Sequence, residues 1–435
     1  MLDDMRLHGR TSIFASAATL SLLLIFLQEG FNYYASAQVL AMLFVLYQVL
    51  KTRSTLTNSS SVISILILLI LFMTVTAAVS PMVVSRNSSN IMMTVVGIII
   101  YAAIIICLPN FRPRSVGSVL HVFRYASAST IVVLASLLVI ADMNIVPGLN
   151  RYALLLQNSR LVTNYSSLDV LQREVDAKLM AGIPPRVDLF YGEASFLAIV
   201  ILACAACYLI ATRLLVKSAA KEVEAGVVKR FHPGKRSHML ILIAAIFSLI
   251  YIQSLSSIIY AGLLVVYGLA QSERRRWLSV TNLKLFMLAL VLMAIVGAYS
   301  YETLLHRITT MNESLSFSQR FGVIFEFGIE DYLFGLSDEA KIPEEGFHNS
   351  LFYLLAVAGM AGIFYLAQIL RTAYRLSIPF RLSAFSLLVV LAIVMQNGAI
   401  FSPNKVVLMA LVLFPLSCAR AIYSYQPVQA KVLAA

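Results

Sequence analysis

Twelve apolar stretches, each of 16 to 22 residues, recur along this chain at about 12–28, 33–50, 61–79, 91–108, 125–142, 194–212, 238–253, 255–270, 282–299, 349–370, 382–400 and 404–422. A helix needs about 20 apolar residues to cross the hydrocarbon of a bilayer. The chain is therefore expected to be all-α and polytopic, with about 12 transmembrane helices in one integral membrane domain over 1–435. Composition agrees. Of the 435 residues 60% are apolar, a ceiling of about 13 crossings, and mean hydropathy is +0.85. Only 12% are charged, about half the share in a soluble domain. The apolar stretch from Met239 to Ala270 is too long for one crossing and short for two. It is split near Gln253 to Ser257, where polar residues cluster.

The basic excess of +12 raises the question of nucleic acid. With both termini cytoplasmic, however, 23 of the 33 Lys and Arg fall on inside segments, including Arg6, Arg10, Lys51, Arg53, Arg124, Arg274–Arg276 and seven between Arg213 and Arg236. These crowd the short connections that the positive-inside rule weighs most, so the charge reads as topology with some attraction to anionic lipid. Nucleic acid is not an expected partner. Ala35-Ser36-Ala37 resembles a signal-peptidase site but lies well beyond the first apolar run and leads into another, so an uncleaved first span is expected. All four cysteines sit in or beside apolar runs, and Cys204 and Cys207 are expected to serve small-residue helix packing rather than redox or metal chemistry.

Two outside connections are long, about 143–193 and 300–348, and connections of that length are uncommon unless functional. Both carry apolar residues at helical spacing, and short amphipathic helices roofing a cavity are expected there. The second contains Arg307 and Arg320 in an acidic setting, where an arginine is either an ion-pair partner or an anion ligand. It ends in Glu344-Glu345-Gly346-Phe347-His348-Asn349, which puts His348 at the outer end of a span. A neutral imidazole there could act as a general base, or simply sit at the interface. The first ends in Arg186-Val-Asp-Leu-Phe-Tyr-Gly-Glu193. Arginines from two loops could chelate a diphosphate through paired N–H groups. Glu193 could accept from a sugar hydroxyl, orient an arginine, or pair with Arg186. Neither loop shows a ligand set for a divalent ion and the chain has no Walker loop, so neither metal, ATP nor another cofactor is expected.

These residues resemble a known family. His348-Asn-Ser-Leu351-Phe-Tyr-Leu354, running on to Gly359 and Gly362, is similar to the H-N-x-x-L-x-x-L-x-x-x-G-x-x-G signature of the O-antigen ligase and O-antigen polymerase superfamily. Ser318-Gln-Arg320, followed by Leu333-Phe-Gly335, looks like its loop arginine and glycine turn. Arg186 to Phe196 is similar to the R-x-x-G-x-x-x-E-P-S stretch of many polysaccharide polymerases. Two departures stand out. Ser254-Leu-Ser256-Ser257 lacks the arginine often found at that break, for which Arg307 is the first substitute, and Ser337 replaces the second glycine of the turn.

The resemblance implies a metal-independent glycosyltransferase of the bacterial inner membrane, with its active site facing the periplasm beneath the loops 143–193 and 300–348. Its donor would be a glycan on undecaprenyl diphosphate. The acceptor glycolipid would be a second lipid-linked repeat for a polymerase, or lipid A-core for a ligase. In this reading His348 and Glu193 are catalytic, and Arg186, Arg320 and Arg307 bind the diphosphate. A chain-length regulator protein is a further expected partner. The layout of Glu193 with arginines on two loops favours the polymerase. The rival reading, a transporter or flippase, would predict charges buried mid-span and paired interruptions of two halves; nearly every span here is free of charge and no paired interruption is visible, which makes it the weaker alternative.

Overall fold

The computed structural model describes residues 47, 55–56, 59–79, 88–113, 116–143, 194–224, 235–252, 254–270, 327–336, 350–396 and 400–424. These are overwhelmingly helical: α1 (Ser59–Val79), α2 (Ser88–Cys107), α3 (Val116–Asp142), α4 (Ala194–Glu224), α5 (Lys235–Tyr251), α6 (Leu255–Ala270), α7 (Ile329–Phe334), α8 (Ser350–Ser377), α9 (Ser383–Met395) and α10 (Pro403–Ser424). Two short strands, β1 (Thr55–Leu56) and β2 (Phe111–Arg112), pair antiparallel with Thr55 opposite Arg112. Among the described residues, three helical segments are long and apolar enough to cross a membrane: Val116–Ala141, Ala194–Ser218 and Ser350–Phe380. Shorter apolar helices fall at Ser60–Phe72, Ile98–Asn110, Ser237–Tyr251, Ser256–Tyr267 and Ser383–Met395.

The centre of the bundle is α4. It packs against α3, α5, α6, α9 and α10, and its residues from Leu197 to Ala211 are buried all round. A helix apolar on every face belongs inside other helices or inside lipid. Small residues at Ala198, Ala203, Cys204, Ala205, Ala206 and Cys207 let those neighbours approach closely. Cys207 reaches the carbonyl of Phe123 on α3 at 3.7 Å, so both cysteines of the C-x-x-C lie inside the helix contact.

The outer helices turn apolar stripes outward. Ile63, Ile67 and Leu71 are exposed on α1, Tyr125, Val132 and Val139 on α3, Ile259 and Val266 on α6, and Leu388, Leu391 and Met395 on α9. Each set recurs at helical spacing. Exposed apolar surface on so many helices is foreign to a soluble monomer and is what lipid covers. The chain is an all-α membrane protein.

The stretch from Met239 to Ala270 is divided where its polar residues cluster. α5 ends at Tyr251 and α6 begins at Leu255. The break is held by its own serines: Ser257 Oγ donates to the Ser254 carbonyl at 2.7 Å and accepts from the Ser254 amide at 3.1 Å, while Ser254 and Ser256 hydroxyls lie 2.9 Å apart.

Polar side chains gather at two levels along α4. Ser195 marks its first turn, while Tyr208 and Arg213 lie 13 and 18 residues further on. At about 1.5 Å per residue these are separated from Ser195 by about 20 and 27 Å, close to the thickness of the hydrocarbon. At the second level the Arg124 guanidinium carbon lies 5.5 Å from the Tyr208 ring, and the His238 ring stacks on the same tyrosine at 5.5 Å.

Candidate functional site

The first level of polar groups is a closed knot at the starts of α4 and α8. Gln396 follows the last turn of α9. Its side-chain Nε2 donates to Ser195 Oγ on α4 at 2.8 Å, and its carbonyl accepts from Ser350 Oγ on α8 at 3.3 Å. Lys405, in the first turn of α10, is fully buried, and its ammonium donates to the carbonyls of Ile393 at 2.8 Å and Gln396 at 3.0 Å. A cation at the C-terminal end of α9 meets both the helix dipole and carbonyls that have no partner inside the helix. The side-chain oxygen of Asn404 accepts from the Lys405 amide at 2.8 Å and from the Ser402 hydroxyl, closing the turn that delivers the lysine. Since Lys405, Gln396, Ser195 and Ser350 are all buried, the knot fixes helix ends and does not itself meet solvent.

A second arrangement joins two motifs. Gly359 interrupts α8 with φ 50° and ψ −137°, a conformation in which an L side chain is strained. Into that kink fits the turn after α7. The Leu336 amide donates to the Ala356 carbonyl at 2.9 Å, and a Cβ on Gly359 would stand 2.5 Å from the Leu333 carbonyl oxygen and 2.8 Å from the Gly335 nitrogen. Gly335, with φ 90°, caps the C-terminal end of α7, and Gly328 caps its N-terminal end, its amide donating to the buried Asp331 carboxylate at 2.8 Å. Leu336, Phe327, Phe352, Leu355 and Ala356 form a small core under the turn. A further Cβ on Gly362 would collide with the Leu354 carbonyl at 2.8 Å, so the kink brings the two halves of α8 together at a second glycine.

The five residues expected to carry chemistry, Arg186, Glu193, Arg307, Arg320 and His348, lie outside the described residues. So does the apolar stretch 321–326. Of the second long connection, 327–336 is described, and it carries the six-residue helix α7 packed on α8. Ile329 and Phe334 on that helix are exposed while Asp331 is buried, so the apolar residues face away from the protein. Among the described residues there is no group of three or more His, Cys, Asp or Glu able to hold a metal ion.

Gln396 and Lys405 escaped the reading of the sequence. Their signal was present: Gln396-Asn-Gly near the end of the run 382–400 and Ser402-Pro-Asn404-Lys405 at the start of the run 404–422 put polar residues around the junction of two spans, the usual appearance of a solvated connection. What hides their role is that both side chains turn inward. No family model, no curated protein and no solved structure matches this chain.

Proposed function

We propose that the chain is a glycosyltransferase of the bacterial inner membrane, working at the periplasmic face as a polymerase of lipid-linked repeat units. The observation that supports this most is the meeting of α4 and α8 at Gln396. Glu193 stands two residues before Ser195, and His348 two before Ser350. Two residues of chain reach at most about 7 Å. The starts of α4 and α8, each two residues beyond one of the two expected catalytic residues, therefore meet at one knot, although residues 193 and 348 stand 155 positions apart in the sequence.

The pairing of helix ends supports the expected sidedness. Ser195, Ser350 and Lys405, which the positive-inside layout assigns to the outer face together with Gln396, all bond to Gln396. The residues assigned to the inner face also meet their own kind: Thr55 pairs with Arg112, Arg420 Nη1 donates to Asn110 Oδ1 at 3.3 Å, and Arg124 and His238 share Tyr208. With twelve crossings both termini are cytoplasmic.

In this reading the bond from the donor sugar to undecaprenyl diphosphate breaks, and a new glycosidic bond forms to a hydroxyl of the acceptor repeat. Arg186 and Arg320, with Arg307 as a third cation, neutralise the diphosphate as it leaves. His348 takes the proton of the acceptor hydroxyl, and Glu193 orients that acceptor or an arginine. Replacing His348 by alanine should abolish glycan transfer while expression and membrane insertion persist. A variant that still makes chains of near-normal length and amount would remove His348 from the mechanism.

A further inference from the structure

At the end of the bundle remote from Ser195, three helices bring basic and polar groups together around one tyrosine. Arg124 of α3 places its guanidinium carbon 5.5 Å from the Tyr208 ring and 5.6 Å from the Tyr125 ring. His238 of α5 stacks on Tyr208 with 5.5 Å between ring centroids and 26° between planes. Thr212 lies one helical turn beyond Tyr208 on the same face of α4. Its hydroxyl is buried without a hydrogen-bond partner, and so is the Nδ1 of His238. Hydroxyls and ring nitrogens held out of water are normally paired, because an unmade bond there is costly. A threonine inside a helix usually satisfies its hydroxyl on the carbonyl four residues back. Thr212 does not, although Ser248, Thr130 and Thr372 of this chain all do.

We propose that this junction of α3, α4 and α5 binds the phosphate of an anionic membrane lipid. The chemistry of the groups selects phosphate: a guanidinium, an imidazole nitrogen and a hydroxyl can each donate to its oxygens. The surroundings select a lipid as its carrier. Tyr125 and Leu240, on the two helices that bring Arg124 and His238, are exposed, and Tyr125 heads the outward apolar stripe that continues through Val132 and Val139. An acyl chain can follow that stripe while the headgroup sits at the basic end of the helices, the level at which positively charged sites between spans take lipid phosphates. This site is about 20 Å along α4 from Ser195, so it is separate from the proposed transfer site.

The test uses the purified full chain in detergent. Dioleoyl phosphatidylglycerol, phosphatidylcholine with the same acyl chains, and inorganic phosphate are titrated separately, and retention is read by native mass spectrometry. Phosphatidylglycerol should be retained about tenfold more strongly than phosphatidylcholine, and a double variant R124Q/H238Q should lose that preference. Equal retention of the two lipids, or an unchanged preference in the double variant, overturns the proposal. Saturable binding of inorganic phosphate alone at comparable strength also overturns it, because the lipid would then be unnecessary. A photoreactive phosphatidylglycerol applied to the unmodified chain guards against a variant that fails to fold. Label is expected on peptides from 116–143 or 235–252, and label confined to other peptides overturns the assignment.

Discussion

Replacing Gly359 by alanine should detach the turn at Leu333–Leu336 from α8. The added Cβ would lie 2.5 Å from the Leu333 oxygen, 2.7 Å from the Leu333 carbonyl carbon and 2.8 Å from the Gly335 nitrogen. All three are backbone atoms, so no side-chain rotation relieves the collision. The conformation adds its own cost, since φ 50° with ψ −137° strains a residue with a Cβ by about 1–3 kcal/mol. The cheaper response is for the turn to lift away. That loses the Leu336–Ala356 hydrogen bond, worth about 1 kcal/mol, and the burial of Leu336, worth about 2 kcal/mol. A loss of about 3 kcal/mol corresponds to amide exchange faster by on the order of 100-fold in this segment. Hydrogen exchange read by mass spectrometry on peptides covering 327–336, in lipid nanodiscs, gives the answer directly. Met360→Ala, at an exposed neighbouring position, serves as the control and should leave exchange unchanged. Unaltered exchange in Gly359→Ala would refute the claim that this glycine seats the turn.

Gln396→Leu should lower the unfolding temperature, because Ser195 loses its partner in a buried place at a cost of about 1–3 kcal/mol. A double-mutant cycle with Ser195→Ala should show coupling between the two, and strict additivity would count against a direct bond. Lys405→Met should cost more, since it strips the ammonium from two buried carbonyls at about 1.5–3 kcal/mol each. The fraction of monodisperse protein on size exclusion should fall sharply, and a normal elution profile would show that α9 needs no such cap. If Arg320 holds the diphosphate as proposed, Arg320→Lys should lose most of its transfer activity, because a lysine cannot supply the paired N–H groups of the guanidinium. Full activity would leave only a role for charge or structure.

The membrane class of this chain was legible because each crossing must satisfy its own backbone and bury about 20 apolar residues, a pattern that composition alone betrays. The break at 253–257 was legible for a related reason. Three serines within four residues can pair with one another and with the freed backbone, as Ser254, Ser256 and Ser257 do. The kink in α8 was not. Gly359 lies in a continuous apolar run read as one crossing at 349–370, and its left-handed conformation follows from the distant turn that packs against it. Similarly, Leu333-Phe-Gly335 and the glycines of α8 were each recognisable as motifs, but their contact is a tertiary fact. Gln396 and Lys405 were hidden because local sequence does not tell whether a polar side chain between two spans points to water or back among helix ends. Arg186, Glu193, Arg307, Arg320 and His348 remain functional assignments resting on sequence pattern and on the helix ends beside two of them.

The most direct measurement is a product gel. The purified protein is given a lipid-linked repeat unit on undecaprenyl diphosphate, in excess EDTA, without nucleotide sugar, ATP or any other protein. The account predicts a ladder of longer lipid-linked chains, because the cations and the base that transfer requires belong to the chain itself and act on the outer face. It also predicts that His348→Ala gives no ladder. Substrate that stays unextended until lipid A-core is supplied would identify a ligase instead, and activity that returns only with magnesium or manganese would contradict the metal-free mechanism. No new glycosidic bond under any of these conditions would contradict the central claim that this membrane protein is a glycosyltransferase.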